Sequence, residues 1–330
     1  MCGIFGCILK KGTEVDPRSF TGYIKTLYEL SESRGKEAAG CAVRSDGSIW
    51  IYKQPISASE MIASDAYRKF FEGAAFRTSH NRSVVVTPLT VIGHSRLVTN
   101  GSQEMNENNQ PVVKDGVVGV HNGIIVNDDK LWSFFPELKK ECDVDTEILL
   151  SLVRHFYKQT RSLKASVKEL FSVVEGSASI ALLFDDLPYV MLATNTGSLY
   201  TGTSATSQVL VFASELYILK TFIEKNSLER SFGPFTVSQI KPGSALLIHT
   251  TTLHTEAVSL KGTQSYGPEE EASEREQCAI VDTSADTKVI VPDILQPREV
   301  RWSQFETDTS TAVKQIDVMR RCKKCVLPES

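Results

Sequence analysis

The chain has 330 residues, a formal net charge of −4 at pH 7, and 41% apolar against 23% charged residues. That composition suits a globular chain with core enough for one large or two ordinary domains. It excludes the basic field that nucleic-acid binding needs, and no apolar run approaches the ~18 residues of a membrane-spanning helix. The N-terminal stretch MCGIFGCILKK carries its basic residues after the apolar run, the reverse of a signal peptide. Seven cysteines without framework spacing then point to reduced thiols and a cytoplasmic location.

In chain order, Cys2 to Leu9 reads as a strand and Pro17 to Ser33 as a helix, with Phe20, Ile24, Leu27, Tyr28 and Leu30 on one side. Gly40 to Arg44 and Ser48 to Tyr52 read as strands joined through Asp46-Gly47, a hairpin signal. Ser57 to Arg82 reads as helix plus loop. Strands follow at Thr90 to Arg96, Val117 to His121 and Ile124 to Val126, then helices at Asp128 to Leu138, Asp145 to Tyr157 and Leu163 to Val174. Strands resume at Ala178 to Phe184, Tyr189 to Thr194, Val209 to Ala213 and Ser244 to His249, with a helix at Leu216 to Lys225. Strands in runs and helices in pairs imply an α+β fold built on largely antiparallel sheet. From Lys261 the stretch GTQSYGPEEEASEREQ is acidic and poor in large apolar residues, as in a linker. Lys288 to Pro292 reads as one further strand, and the chain's last residues, MRRCKKCVLPES, carry Cys322 and Cys325 as a C-x-x-C.

Four segments carry candidate chemistry. Removal of Met1 would give Cys2 a free α-amine with an ordinary pKa of ~7.7–8.0, close enough to physiological pH to accept a thiol proton. A terminal amine is one of the bases that activate nucleophiles. The plain alternative is a small buried residue on an edge strand. In Gly93-His94-Ser95-Arg96 the guanidinium can hold a carboxylate by two parallel hydrogen bonds, or form a surface salt bridge. His121-Asn122-Gly123 reads first as a hairpin turn between two strands. It also offers the Asn122 amide and the Gly123 N–H to an oxyanion. Asp143-Val144-Asp145-Thr146-Glu147 reads as a helix N-cap, or as a carboxylate for a substrate ammonium.

The pieces Cys2-Gly3-Ile4, Ser33-Arg34-Gly35 with Ala39-Gly40, GHSR with Thr99, HNG and DTE come in an order that resembles the glutaminase domain of the class-II glutamine amidotransferases, a branch of the N-terminal nucleophile hydrolases. Glu175-Gly176-Ser177-Ala178, Thr196-Gly197-Ser198-Leu199, Ala213-Ser214-Glu215 and Ile240-Lys241-Pro242-Gly243 extend the resemblance to about residues 2–255. It implies a four-layer αββα sandwich, two antiparallel sheets between helices. It implies that Cys2 is the nucleophile, that Asn122 and Gly123 form the oxyanion hole, that Arg96 clamps the glutamine carboxylate, that Asp145 takes the α-ammonium, and that Thr99 lines the pocket through its backbone. The substrate would be L-glutamine, no metal or cofactor is called for, and ammonia would pass to a synthase domain or subunit.

The chain departs from the pattern at Leu97, where relatives carry an aromatic residue, and at Asn100, where amino-sugar enzymes carry histidine; both bear on the lid rather than the chemistry. RGKEAAG at Arg34 is closer to the amino-sugar and purine enzymes than to asparagine synthetase. The expected division is a glutaminase domain at 2–258, an acidic linker at 259–287 and an extension at 288–330. RCKKCVLPES resembles the entry to an ATP-dependent sugar amidotransferase domain, and two loose thiols are an equal reading; Cys322 and Cys325 could also be half of a zinc site, which would need a second pair. The rival readings are an N-terminal nucleophile hydrolase of other amides and a non-catalytic regulatory domain.

Overall fold

The computed structural model describes residues 2–76, 84–97 and 104–260, and the backbone of 300–305 and 313–318. The elements in order are β1 (Gly3–Leu9), α1 (Pro17–Ser31), β2 (Ala38–Ser45), β3 (Ser48–Gln54), α2 (Ala58–Ala63), α3 (Asp65–Ala75), β4 (Leu89–Arg96), β5 (Val112–Lys114), β6 (Val117–Ile125), α4 (Asp128–Phe134), α5 (Thr146–Thr160) and α6 (Leu163–Val173). After them come β7 (Gly176–Phe184), β8 (Tyr189–Thr194), β9 (Tyr200–Ser204), β10 (Val209–Ala213), α7 (Leu216–Lys225), α8 (Leu228–Phe232), β11 (Phe235–Gln239), β12 (Ser244–His249), β13 (Thr255–Ser259), β14 (Val300–Phe305) and β15 (Val313–Val318).

Local chemistry sets several of these boundaries. Asp16 accepts the Ser19 N–H at 3.0 Å and Pro17 opens α1, a side-chain cap followed by a residue with no amide to satisfy. Asp46 and Gly47 both have positive φ, as the two-residue turn between β2 and β3 demands. The helix expected from Asp128 to Leu138 stops at Phe134; Pro136 restricts the residue before it and cannot supply a helical N–H.

All pairings are antiparallel. The larger sheet has the order β11-β9-β10-β1-β4-β2-β3-β15-β14 and the smaller β13-β12-β8-β7-β6-β5. Side chains alternate between faces along each strand, and that alternation sorts them into three apolar clusters. Phe5, Cys7 and Leu9 of β1 face α1, α3 and α7. Ile180, Leu182 and Phe184 of β7 face α5 and α6. Ile4, Ile8 and Ile92 of one sheet meet Val118, Val120, Leu183 and Leu192 of the other between them. The layers are therefore helix, sheet, sheet, helix, the four-layer arrangement expected above. Central strands such as β1 are covered on both sides, which is why they read as unbroken apolar runs.

Two expectations are corrected. Asn122-Gly123 is not a hairpin turn: Val117–Ile125 is one strand, with Asn122 opposite Ser179 and Gly123 opposite Ala178 of β7. Gly123 has φ +148°, and a Cβ there would lie 1.9 Å from the Ser177 carbonyl oxygen. The glycine permits a close backbone approach within a strand instead of reversing the chain. Strands β5, β9, β11 and β13 were not expected. Tyr200–Ser204 is mostly polar, and Phe235–Gln239 has no fully buried residue and only Phe235 and Val237 as a short apolar alternation. The expected strand at Lys288 to Pro292, and the Cys322 and Cys325 pair, lie outside the described residues. Among the described residues no helix is long and apolar enough to cross a membrane, and Cys2, Cys7, Cys41 and Cys142 are free thiols.

Candidate active site

The alternation that builds the core also points four strands at one end of the space between the sheets. Cys2 precedes β1 in the same phase as Ile4 and Ile8. Arg96 ends β4 in phase with Ile92, and Asn122 lies on β6 in phase with Val118 and Val120. Ser214, just beyond β10, is in phase with Leu210 and Phe212, and holds the start of β1: its hydroxyl accepts the Ile4 N–H at 3.2 Å and its own N–H donates to the Ile4 carbonyl at 2.8 Å.

Residues far apart in sequence meet here. The Cys2 nitrogen donates to Asn122 Oδ1 at 3.0 Å. This fixes the amide's orientation, with Oδ1 toward the cysteine nitrogen and Nδ2 away from it. The Cys2 thiol meets backbone at Leu97: the Leu97 N–H donates to Sγ at 3.4 Å, and the thiol reaches the Leu97 carbonyl at 3.5 Å. Burial pushes the thiol pKa up, while the Leu97 hydrogen bond and the Arg96 charge pull against it. The result is a thiol that stays protonated until a base takes its proton.

Arg96 is buried, and its Nη1 donates to Asn109 Oδ1 at 2.6 Å. Burial lowers its pKa; Cys2, Asp145 and Glu37 push the other way. Asp145 holds the N-cap position of α5, as expected, but its side chain makes no capping hydrogen bond. Its Oδ2 accepts the Ile125 N–H of β6 at 2.9 Å, and its Oδ1 lies 3.6 Å from His121 Nδ1. Burial raises the Asp145 pKa, but the His121 contact and the N–H groups of Ile125 and Thr146 outweigh it, and the carboxyl is held below its ordinary value. Glu147 of the same motif is fully buried. It accepts the Glu141 and Cys142 N–H groups and pairs with Lys114 at 3.0 Å, tying down the loop before α5.

Two histidines lie nearby, and neither is placed as a base for the thiol. His94 is wholly buried near the His121 backbone, and burial, with the Arg96 charge, pushes its pKa down to about 3. His121 faces the helix side of β6; its ring lies 3.4 Å from Thr146 Oγ1 and 3.4 Å from the Ser177 carbonyl. A groove of about 460 Å³ opens beside Leu97, lined also by residues 32–37. Arg34 in its wall pairs with Glu215 at the start of α7. Among the described residues no group of three or more His, Cys, Asp and Glu side chains could hold a metal ion.

Cys2, Arg96, Asn122, Gly123 and Asp145 thus share one end of the sandwich; Thr99 lies outside the described residues. The sequence reading passed over Asn109 and Gln110. An amide-rich run, Asn108-Asn109-Gln110, ahead of a proline between two strands was the signal available.

Residues 94–221 match the model of a family described as "Glutamine amidotransferase domain". Over these residues the chain is similar to glutamine amidotransferase domains. The match begins at His94 and so includes Arg96, Asn122, Gly123 and Asp145, while Cys2 precedes it. Glutamine–fructose-6-phosphate aminotransferase of Chlamydia trachomatis is 30% identical over 195 residues, 58% of this chain and 28% of that protein. The enzyme of the same name from Halalkalibacterium halodurans is 31% identical over 188 residues, 56% and 27% of the two chains. The chain thus spans under a third of the length of these relatives. Among solved structures, glutamine phosphoribosylpyrophosphate amidotransferase of B. subtilis superposes with a TM-score of 0.52 at 21% identity, covering 79% of this chain and 49% of that one. A structure titled as the allosteric regulatory enzyme of purine biosynthesis gives 0.54 at 22% identity, with the same coverage. These likenesses show the fold alone, an α+β sandwich of two antiparallel sheets packed against helices.

Proposed function

We propose that this domain hydrolyses L-glutamine to glutamate and ammonia, with Cys2 as nucleophile after loss of Met1. The observation that carries the reading is the 3.0 Å contact between the Cys2 nitrogen and Asn122 Oδ1, made across 120 residues of sequence. A free amine there gives one hydrogen to Asn122 and keeps its lone pair for the thiol. The thiol, raised by burial, needs such a base; the pKa of His94 is pushed down to about 3, and His121 faces the helix side of β6.

The proposed sequence is short. The amine takes the thiol proton as sulfur attacks the side-chain amide carbon. Asn122 Nδ2 and the Gly123 N–H bind the oxyanion, each such donor lowering the barrier by ~3 kcal/mol. The protonated amine hands its proton to the leaving nitrogen, and ammonia departs from a γ-glutamyl thioester. The amine then takes a proton from water, whose oxygen attacks the thioester and frees the thiol. Arg96 holds the substrate carboxylate and Asp145 its ammonium, with Thr99 contributing backbone. No step calls for a cofactor.

The relatives' names support ammonia transfer to a synthase domain or subunit, with a sugar phosphate as the acceptor class. We assign the glutaminase domain to residues 2–258, an acidic linker to 259–287 and a C-terminal extension to 288–330, and place the protein in the cytoplasm. Mass spectrometry of active protein should find Cys2 first, with glutamine hydrolysed in preference to acyl amides. Full glutaminase activity in a preparation that quantitatively keeps Met1 would overturn the mechanism; preference for an acyl amide would overturn the substrate.

A further inference from the structure

Strand β5 pairs with β6 in the register Val112↔Gly119. Continuing that ladder by one rung would set the backbone of Gln110 against His121. The backbone does not go there. The Gln110 carbonyl oxygen is pressed instead against β2 of the other sheet, where a Cβ on Gly40 would meet it at 2.3 Å. Lys53 of β3 fastens the same stretch by donating to the carbonyls of Asn109 at 2.6 Å, Pro111 at 3.2 Å and Glu107 at 3.3 Å.

The missing rung is made by a side chain. Gln110 Oε1 accepts the His121 N–H at 2.6 Å, and Gln110 Nε2 donates to the His121 carbonyl at 3.0 Å and to Thr146 Oγ1 at 3.3 Å. A carboxamide has one acceptor and two donors of this kind, and here all three serve the residue beside Asn122 and the first turn of α5. Its neighbour Asn109 turns the other way and accepts from Arg96. One short segment, held to the larger sheet, thereby grips a group on each side of the pocket.

We infer that Asn109 and Gln110 are paired positioning residues for glutamine hydrolysis: Asn109 sets the guanidinium of Arg96, and Gln110 sets the strand that presents Asn122 and Gly123. The inference rests on the reading given under Proposed function. Neither residue touches the reacting atoms, so each acts through the group it holds. The carboxylate clamp works in ground and transition states alike, whereas the oxyanion donors work only in the transition state. The two residues should therefore separate kinetically. Asn109→Ala should raise KM for glutamine by about tenfold with kcat within about twofold, and Gln110→Met should lower kcat by about tenfold with KM within about twofold. Gln110→Glu keeps the acceptor for the His121 N–H and loses the donor, so its kcat should fall between those of Gln110→Met and wild type.

The experiment is steady-state kinetics of the full chain and these variants, with thermal melting for each and labelling of Cys2 by a glutamine-like diazo-ketone. A purely structural role would lower melting temperature and active fraction while leaving the KM of the active enzyme and the contrast between the two variants unchanged. Wild type that hydrolyses glutamine and labels at Cys2, with variants that show no such split, overturns this inference alone. Wild type that neither hydrolyses glutamine nor labels at Cys2 overturns the underlying reading, and this inference with it. Should Gln110→Met fail to fold, the split between Asn109→Ala and Gln110→Glu decides.

Discussion

The two ends of the space between the sheets are built by the same strands yet differ in kind. In the middle and at one end, β1, β4, β6, β7 and β8 contribute Ile8, Ile92, Val118, Leu183 and Val190. At the other end the same inward-facing rows finish in Cys2, Arg96, Asn122, Ser179 and Thr194, all buried. Burying polar groups costs free energy unless each finds a partner, and parts of this end are well provided: Ser179 and Thr194 share a hydroxyl contact at 2.7 Å. A row of strands that turns polar together on one face, at one level, marks a site, whereas a lone buried polar residue usually marks a satisfied core. On the proposed function the polar end carries chemistry while the apolar end carries stability, and the two can be perturbed separately.

The sharpest break is Cys2→Ala, which should lower kcat at least ~10³-fold while melting near the wild-type temperature. The diazo-ketone label should be lost from this variant and retained by Cys41→Ala. Asn122→Ala comes next: kcat should fall ~100-fold or more with KM little changed, because the lost donor faces charge that develops only in the transition state. If KM rises and kcat holds, Asn122 serves the strand alone and the oxyanion is bound elsewhere. Arg96→Lys keeps the charge but loses the planar fork, so KM should rise ~10-fold with a smaller change in kcat.

At the apolar end the expectation reverses. Ile92→Ala, on the same strand face as Arg96, should cost ~2–5 kcal/mol of stability and leave kcat of the folded enzyme within about twofold. A large kcat loss there would erase the distinction between the ends. The smallest effect is on acid dependence. The Asp145 carboxyl is held below its ordinary value, so the folded chain binds fewer protons at this group than the unfolded chain. Its contribution is present above the unfolded pKa of ~3.9 and is lost as pH falls through the lower folded one. KM for glutamine should therefore stay flat down to about pH 4, and a rise beginning near pH 6 would count against Asp145 as the ammonium site.

Much of this architecture was legible before any coordinates. The hairpin at Asp46-Gly47 follows from residues that tolerate positive φ, and the long strands and amphipathic helices follow from their apolar periods. Resemblance of the segments and their order to the class-II glutaminase domains brought Cys2, Arg96, Asn122, Gly123 and Asp145 into one hypothesis. Local chemistry misled where it had a stronger habitual use: Asn-Gly is a turn in most settings, and an Asp at an N-cap usually turns its carboxylate onto its own helix. Here β6 runs straight through Asn122-Gly123 because β7 pairs with it on both sides of the glycine, and the Asp145 carboxylate is drawn to the Ile125 N–H.

The sequence by itself determined which residues could do the chemistry and which strand faces would be buried, since residue type and alternation are local properties. Only the tertiary structure decided that the Cys2 nitrogen meets Asn122, that Leu97 offers its backbone to the thiol, and that Gln110 completes a ladder its own backbone abandons. Those contacts join segments on different strands and sheets, and their geometry is set by how two twisted sheets pack, a property of the assembled core that no local stretch of chain contains.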